Sequence, residues 1–363
     1  MNGLLIITGG GTGGHLYPAL SVACEARRRR PDQPLLYIGG DSPVEKRKVE
    51  KLGIPFQGYP VRGLCRRRMS QNMEILLEHA KATARIKRLL KSAPRGIVFG
   101  VGGYASAPAI LAARIARWPI VLHEQNSYPG VVNRWFSQYA RAICITYAEC
   151  QRYLSGPPPV QTGLPIRPEV LPPEDWHRSE RPSDPPCILI LGGSQGARSL
   201  VETVLETSLY MDEIDYKYRM VLQTGEKNQD LVELFPPRSH ISTPAFIEDM
   251  APVYRSADLL ICRAGAATLA EAAAWQLPAI LVPLPTSAGD HQMKNALHYQ
   301  RAGGAHVIAQ NDLNKNLLFH TICRTLEDDS RRKNMITRMA LQAELQAHVK
   351  VMDVIESVAG GLA

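Results

Sequence analysis

The chain has 363 residues, 45% of them apolar and 21% charged, which excludes a disordered or fibrous polypeptide and suits two domains of common size. No apolar run approaches the roughly 18 residues needed to cross a bilayer, and the opening LLII is too short for a signal peptide, so the expectation is a cytoplasmic protein at most bound to a membrane face. The net charge of +8 is unevenly spread: residues 1–163 hold 23 Lys and Arg against 9 Asp and Glu, the remainder 19 against 25, so the first half faces either plain solvent or a polyanion such as nucleic acid, an anionic membrane surface or a phosphate-bearing substrate.

Residues 4–15, LLIITGGGTGGH, read as a buried strand, a glycine-rich turn and a helix start, the opening unit of a doubly wound sheet. Gly9, Gly11 and Gly14 satisfy G-x-G-x-x-G, which lets backbone N–H groups and a helix N-terminus approach a phosphate. Asp41, just past the next strand at 34–40, supplies the acid a nicotinamide dinucleotide would need, so this region leaves a dinucleotide and a sugar nucleotide both open. Residues 62–91 couple Arg66, Arg67 and Arg68 to a helix with apolar Met69, Met73, Leu76, Leu77, Ala80 and Ala84 at three- and four-residue spacing. That stripe is either ordinary core or, with Leu64, a membrane-docking face.

Strands at 96–103, 119–126 and 142–146 continue the first domain, the second ending in the polar HEQN. Prolines crowd residues 155–186 and read as the linker. Then CILILGGSQGAR, 187–198, repeats the opening pattern, followed by strands at 217–225, 258–265, 278–285 and 305–309. Strands alternating with helices predict an α/β protein of two doubly wound, Rossmann-like domains, 1–163 and 164–340, with a C-terminal helix over 341–363 packing back on the first. Ligands in such folds sit at the carboxyl ends of strands. There CRAGAATLAEAAAW, 262–275, offers the Thr268 hydroxyl to a phosphate and places Glu271 to accept from both hydroxyls of a ribose, unless it is simply solvated. PLPTSAGDHQMKNA, 283–296, gathers Asp290, His291, Gln292 and Asn295, a sugar site or a helix cap. Seven cysteines without C-x-x-C spacing read as reduced thiols, with no metal site.

In order and spacing, GGTGGH with a following proline, GVGGYASAP, HEQN, GLPIR, GGSQGAR, CRAGAATLAE and DHQMKNA closely resemble the MurG family of bacterial glycosyltransferases, over nearly the whole chain. The resemblance implies the two-domain GT-B fold, its domains facing a cleft, and inverting transfer of N-acetylglucosamine from UDP-N-acetylglucosamine to lipid I, the undecaprenyl diphosphate-linked muramoyl peptide, giving lipid II. It implies an acceptor- and membrane-facing first domain and a UDP-sugar-binding second one. It further implies that Thr12, Gly13 and Gly14 border the sugar and phosphate, that Asn126 and Arg167 touch the donor, that Ser194 touches a phosphate and that Ile247 touches the uracil. The helix start at Ala266, Ala267, Thr268, Leu269, Ala270 and Glu271 would hold diphosphate and ribose, and Gln292 the sugar hydroxyls.

This chain reads GLPIR where relatives often read G-N-P-V-R, and Arg263-Ala264-Gly265-Ala266 where many read R-S-G-A, which removes any contact from the lost Asn and Ser. No Asp-x-Asp occurs anywhere, so the reading carries no metal and no cofactor, with helix N-termini supplying charge stabilisation. His15, at a helix start that favours the neutral imidazole, is the candidate general base, with Glu124 in reserve. Partners are the UDP sugar, lipid I and an anionic membrane, not nucleic acid. Two other enzymes stay open, a transferase of another UDP sugar such as a galactolipid synthase and a nicotinamide-dependent dehydrogenase, as does a non-catalytic membrane adaptor.

Overall fold

Short runs of leucine and β-branched residues ending in glycine or a polar residue form the buried strands of the computed structural model, which describes residues 3–11, 13–63, 69–192 and 197–361. Thr12, Leu64, Arg66, Arg67, Arg68 and Ser194 lie outside the described residues, as does the side chain of Met69. The first sheet contains β1 (Leu5–Thr8), β2 (Leu35–Gly40), β3 (Phe56–Tyr59), β4 (Ile97–Gly100), β5 (Ile120–Glu124), β6 (Ala142–Ile145) and β7 (Val160–Gln161), all parallel, in the order β3-β2-β1-β4-β5-β6-β7. The second contains β8 (Cys187–Leu191), β9 (Arg219–Gln223), β10 (Ile241–Ser242), β11 (Leu259–Cys262), β12 (Ala279–Leu281) and β13 (Ala305–Val307), also parallel, in the order β10-β9-β8-β11-β12-β13. Strand order reverses beside β1 and beside β8, the switch points at which such sheets open to ligands.

Helices cover both faces, so β1 and β8 have no polar side: Leu5, Ile6, Ile188, Leu189 and Ile190 are fully buried. The edge strands β3, β7 and β10 carry no such run. FQGY and IS are short and only partly buried, VQ is exposed, and nothing in their pattern separates them from loops.

The chain divides into two compact units, residues 1–167 with 345–363, and residues 168–344. The C-terminal helix, Ala347–Gly360, belongs to the first, where Val351, Met352 and Ile355 share a core with Leu16, Ala19, Val22 and Ala23 of the Gly13–Arg29 helix. Around that core Arg29 reaches Asp353 at 2.7 Å and Glu356 at 2.9 Å. Glu25 in turn holds Arg28 and Arg29, and the Arg28 hydrogen bond is the largest influence drawing its carboxyl down to about 2.

The division between the units falls inside residues 155–186, which supply β7 to the first sheet and then bind the second unit through Trp176, packed edge-on against Trp275, and Arg178, which is only 8% exposed. A proline-rich segment makes few bonds of its own, but large side chains within it can anchor it to another element. In the Met69–Ser92 helix the core face is Ile75, Ala82, Ile86 and Leu90, whereas Met73, Leu76, Leu77, Ala80 and Ala84 are exposed. The helix has two apolar faces, and the sequence alone does not say which one the sheet covers. Met73, Leu76 and Leu77 keep 66%, 53% and 54% of their surface, beyond what a core stripe allows. No helix among the described residues is long and apolar enough to cross a membrane.

Candidate active site

In the first unit the strand ends of β1, β4 and β5 bring three loops together. Gly10 has φ 123°, and a Cβ there would lie 2.3 Å from Glu45 Oε1; Gly103 has φ 78°, and a Cβ there would meet the Gly10 carbonyl oxygen at 2.7 Å and His15 Cγ at 3.4 Å. The loops after β1 and β4 thus close on each other only as glycine backbone, with His15 beside them. Gly13, Gly14 and His15 open the helix that follows, so its N-terminus points at the same place. Tyr104 lies over Gly11, within 2.8 Å of where a Cβ would stand. The Arg167 guanidinium sits 4.2 Å from the Tyr17 ring centroid, two residues along the helix from His15, and Lys48 approaches the same ring.

HEQN is built inward. His123 is fully buried with Nε2 2.9 Å from the Gly163 carbonyl oxygen, and burial pushes its pKa down to about 4, so it stays neutral. Gln125 donates to the Val101 carbonyl at 2.8 Å and ties this loop to the one after β4. Glu124, 2% exposed, accepts from the Asn126 N–H at 3.0 Å, Asn126 Nδ2 at 3.2 Å, the Gly130 N–H at 3.0 Å and Asn133 Nδ2 at 2.8 Å. Burial raises its carboxyl above the usual range while the four donors pull it back. Both oxygens are committed to ordering residues 126–133, which is not the posture of a base reaching for a proton.

Glu45 sits at the heart of this region. It is the third residue of the Pro43–Lys51 helix, whose N-cap Ser42 accepts from its N–H. Its carboxyl is 4% exposed between Gly10 and Gly39. Burial raises its pKa to about 7 against the N–H groups of Gly11 and Gly40.

In the second unit the loops after β9, β11 and β12 are cross-tied. Gln223 Oε1, at the end of β9, accepts from the Ile247 N–H at 3.0 Å. Arg263, immediately after β11, is 8% exposed; its Nη1 donates to the Val282 carbonyl at 3.0 Å and its Nη2 to Ser199 Oγ at 3.4 Å. Among the described residues no carboxylate pairs with it, so a buried positive charge lies beneath the strand ends, and burial lowers its pKa. Asn295, fully buried, donates to the Ala264 carbonyl at 3.3 Å. Gln292 accepts from the Leu284 N–H at 2.9 Å and holds the loop after β12.

The Ala266–Ala274 helix begins at Gly265 without a side-chain cap. Ala267, Thr268 and Ala270 are half-buried, whereas the Leu269 side chain lies wholly in the core and its N–H is bonded to the Gly265 carbonyl at 3.0 Å. Glu271 is 9% exposed and accepts from the Tyr254 hydroxyl at 2.8 Å, which replaces the solvated alternative. Sequence reasoning passed over Glu45, Tyr104, Asn133 and Tyr254 as site-builders. A signal existed for Glu45, in Ser42-Pro43-Val44-Glu45, and for Tyr104, between a glycine pair and a helix; Tyr254 had none. Among the described residues no group of three or more His, Cys, Asp or Glu is placed to hold a metal ion.

Two Rossmann-like units in one chain, each with polar and glycine-bearing loops gathered at the strand ends, and a match of both to glycosyltransferase domains make this a glycosyltransferase of the two-domain GT-B architecture. The chain belongs to glycosyltransferase family 28: residues 5–145 match its N-terminal domain and residues 187–352 its C-terminal domain. It is 33% identical to a protein of Syntrophotalea carbinolica over 98% of this chain and 99% of that one, and 34% identical to one of Anaeromyxobacter sp. (strain K) over 96% and 91%. Both relatives are named UDP-N-acetylglucosamine–N-acetylmuramyl-(pentapeptide) pyrophosphoryl-undecaprenol N-acetylglucosamine transferase. The crystal structure of Acinetobacter baumannii MurG superposes with a TM-score of 0.76 at 27% identity, covering 98% of this chain and 99% of that one. A nicotinamide dehydrogenase, left open by the first loop and Asp41, is not favoured, since both halves match the transferase family.

Proposed function

We propose that this protein transfers N-acetylglucosamine from UDP-N-acetylglucosamine to lipid I, forming lipid II for peptidoglycan synthesis. The observation that carries the reading is the relationship to transferases of that name, which spans 98% and 96% of this chain and 99% and 91% of theirs. The second unit holds the donor. The Ile247 backbone, fixed by Gln223, meets the uracil, and Glu271 accepts from the ribose hydroxyls. Thr268, the N–H groups of Ala266 and Ala267, and Ser194 meet the diphosphate, with the Arg263 charge beneath them, and Gln292 meets the sugar.

Inverting displacement at the sugar needs a base on the acceptor hydroxyl and stabilisation of the UDP that departs with added negative charge. His15 is the base we favour. Glu124 holds the loop carrying Asn126, while Gly13, Gly14 and Arg167 receive the acceptor's phosphates or the donor sugar. Fixed backbone dipoles and Arg263 do the work of stabilising UDP, so turnover is independent of divalent cations.

The acceptor lies in a membrane, and we place the protein at the cytoplasmic face as a peripheral protein. Support comes from the excess of Lys and Arg in residues 1–163 and from Met73, Leu76 and Leu77, exposed on the helix that follows Arg66, Arg67 and Arg68. The decisive assay is UDP release from UDP-N-acetylglucosamine with and without a lipid I analogue. Acceptor-dependent release with a glucosaminylated lipid product supports the reading. Equal or greater use of UDP-galactose would move it to another lipid transferase, and binding without UDP release would make it an adaptor.

A further inference from the structure

The donor reading leaves a buried network around Tyr254 unused. Tyr254 closes the Met250–Ser256 helix, its side chain fully buried, with its hydroxyl donating to Glu271 Oε2 at 2.8 Å. Its ring stacks on Trp275, 6.4 Å between centroids at 24°, and its carbonyl accepts from Arg178 Nη2 at 2.7 Å. Arg178 also donates to the carbonyls of Trp275, at 2.9 Å, and Ala257, while Trp275 Nε1 donates to the Val170 carbonyl at 2.8 Å. Residues 170–178, the segment that begins the second unit, therefore clamp Tyr254 and the end of the helix that bears Glu271. A glutamate on a helix made otherwise of alanine, one threonine and one leucine has several rotamers open to it; here one oxygen is already claimed by a phenol that has nowhere to move.

We infer that Tyr254 is a positioning residue that fixes the Glu271 carboxylate in the orientation from which it selects a ribose over a deoxyribose. The inference rests on Glu271 being the ribose acceptor. A carboxylate has about four lone-pair sites, so one bond from Tyr254 leaves capacity for both ribose hydroxyls. The phenol is a donor and the ribose hydroxyls are donors, so Tyr254 never competes as an acceptor; it only orients. Without it, Oε2 loses a donor in a buried setting, and the carboxylate turns away to find another.

The test is calorimetric binding of UDP and of 2′-deoxy-UDP, which requires no acceptor and no turnover. Four proteins are compared: wild type, Tyr254→Phe, Glu271→Gln and the double variant, each first confirmed folded by its melting midpoint. Phe keeps the ring that packs on Trp275. The inference expects wild type to prefer UDP by at least about tenfold. Tyr254→Phe should lose most of that preference by weakening UDP more than 2′-deoxy-UDP, which keeps only the 3′-hydroxyl contact, and the double variant should be no worse than Glu271→Gln alone. Equal weakening toward both ligands, or additive losses in the double variant, makes Tyr254 merely structural and overturns the inference while leaving the ribose role of Glu271 intact. An unchanged preference in Glu271→Gln overturns that role and the inference together. Should Tyr254→Phe not fold, Arg178→Lys, which loosens the clamp while keeping the phenol, is read the same way: a diminished preference supports the orienting role and an undiminished one contradicts it.

Discussion

Replacing Glu124 by Gln separates a structural carboxylate from a catalytic one. In the wild type Oε1 takes the N–H and the side-chain amide of Asn126, and Oε2 takes the Gly130 N–H and the Asn133 amide. Gln keeps one acceptor oxygen and turns the other into a donor, so two of the four donors lose their acceptor and meet an N–H group instead. Each buried donor left unsatisfied costs about 1–3 kcal/mol, and rotation of the Asn126 or Asn133 amide recovers part of it, giving a net loss of about 2–4 kcal/mol. The expected result is that much loss of unfolding free energy in urea, together with faster exchange of the Gly130 amide hydrogen. A Glu124→Gln protein with wild-type stability and Gly130 protection but greatly reduced kcat would refute the loop-ordering role and restore Glu124 as the base.

The Glu45 carboxyl has its pKa raised from 4.5 to about 7, so the folded state binds more protons than the unfolded between those values, and stability falls as pH rises from about 4.5 to 7. Tyr37 and Tyr104 are the titratable groups facing it, and neither ionises in that window. Glu45→Gln flattens the dependence, recovering up to about 3 kcal/mol at pH 8; parallel pH profiles for variant and wild type would count against it. His15→Ala at saturating substrates lowers kcat by about 100-fold or more if His15 takes the acceptor proton, and a turnover within a few-fold of wild type removes it as base. Leu76→Glu with Leu77→Glu lowers recovery with anionic liposomes while leaving UDP binding unchanged; equal sedimentation of wild type with and without anionic lipid would sink membrane docking by that face.

Much of the architecture was legible because each central strand is buried on both faces and so must be written as an unbroken apolar run, as in LIIT and CILIL. The edges were not, since FQGY and IS bury too little to need such a run. The same limit governs the site. Groups at strand ends, such as Glu271 and Gln292, announce themselves by lying where chain and chemistry change character. Tyr254 and Arg178 are ordinary residues in their own segments and acquire their part only by meeting Glu271 and Trp275 in space. The sequence leaves the outward face of the Met69–Ser92 helix open for a related reason: periodicity reports that an apolar face exists and is silent on which neighbour covers it.

The central physical claim is that a departing uridine diphosphate is stabilised by helix N-termini and a buried arginine rather than by an ion. Transfer of radiolabelled N-acetylglucosamine to a lipid I analogue, measured with the full-length protein in excess EDTA and again after adding back magnesium or manganese, tests it most directly. The account predicts that the rate in chelator stays within about twofold of the untreated rate. Complete loss in EDTA, restored by a divalent cation, would contradict it.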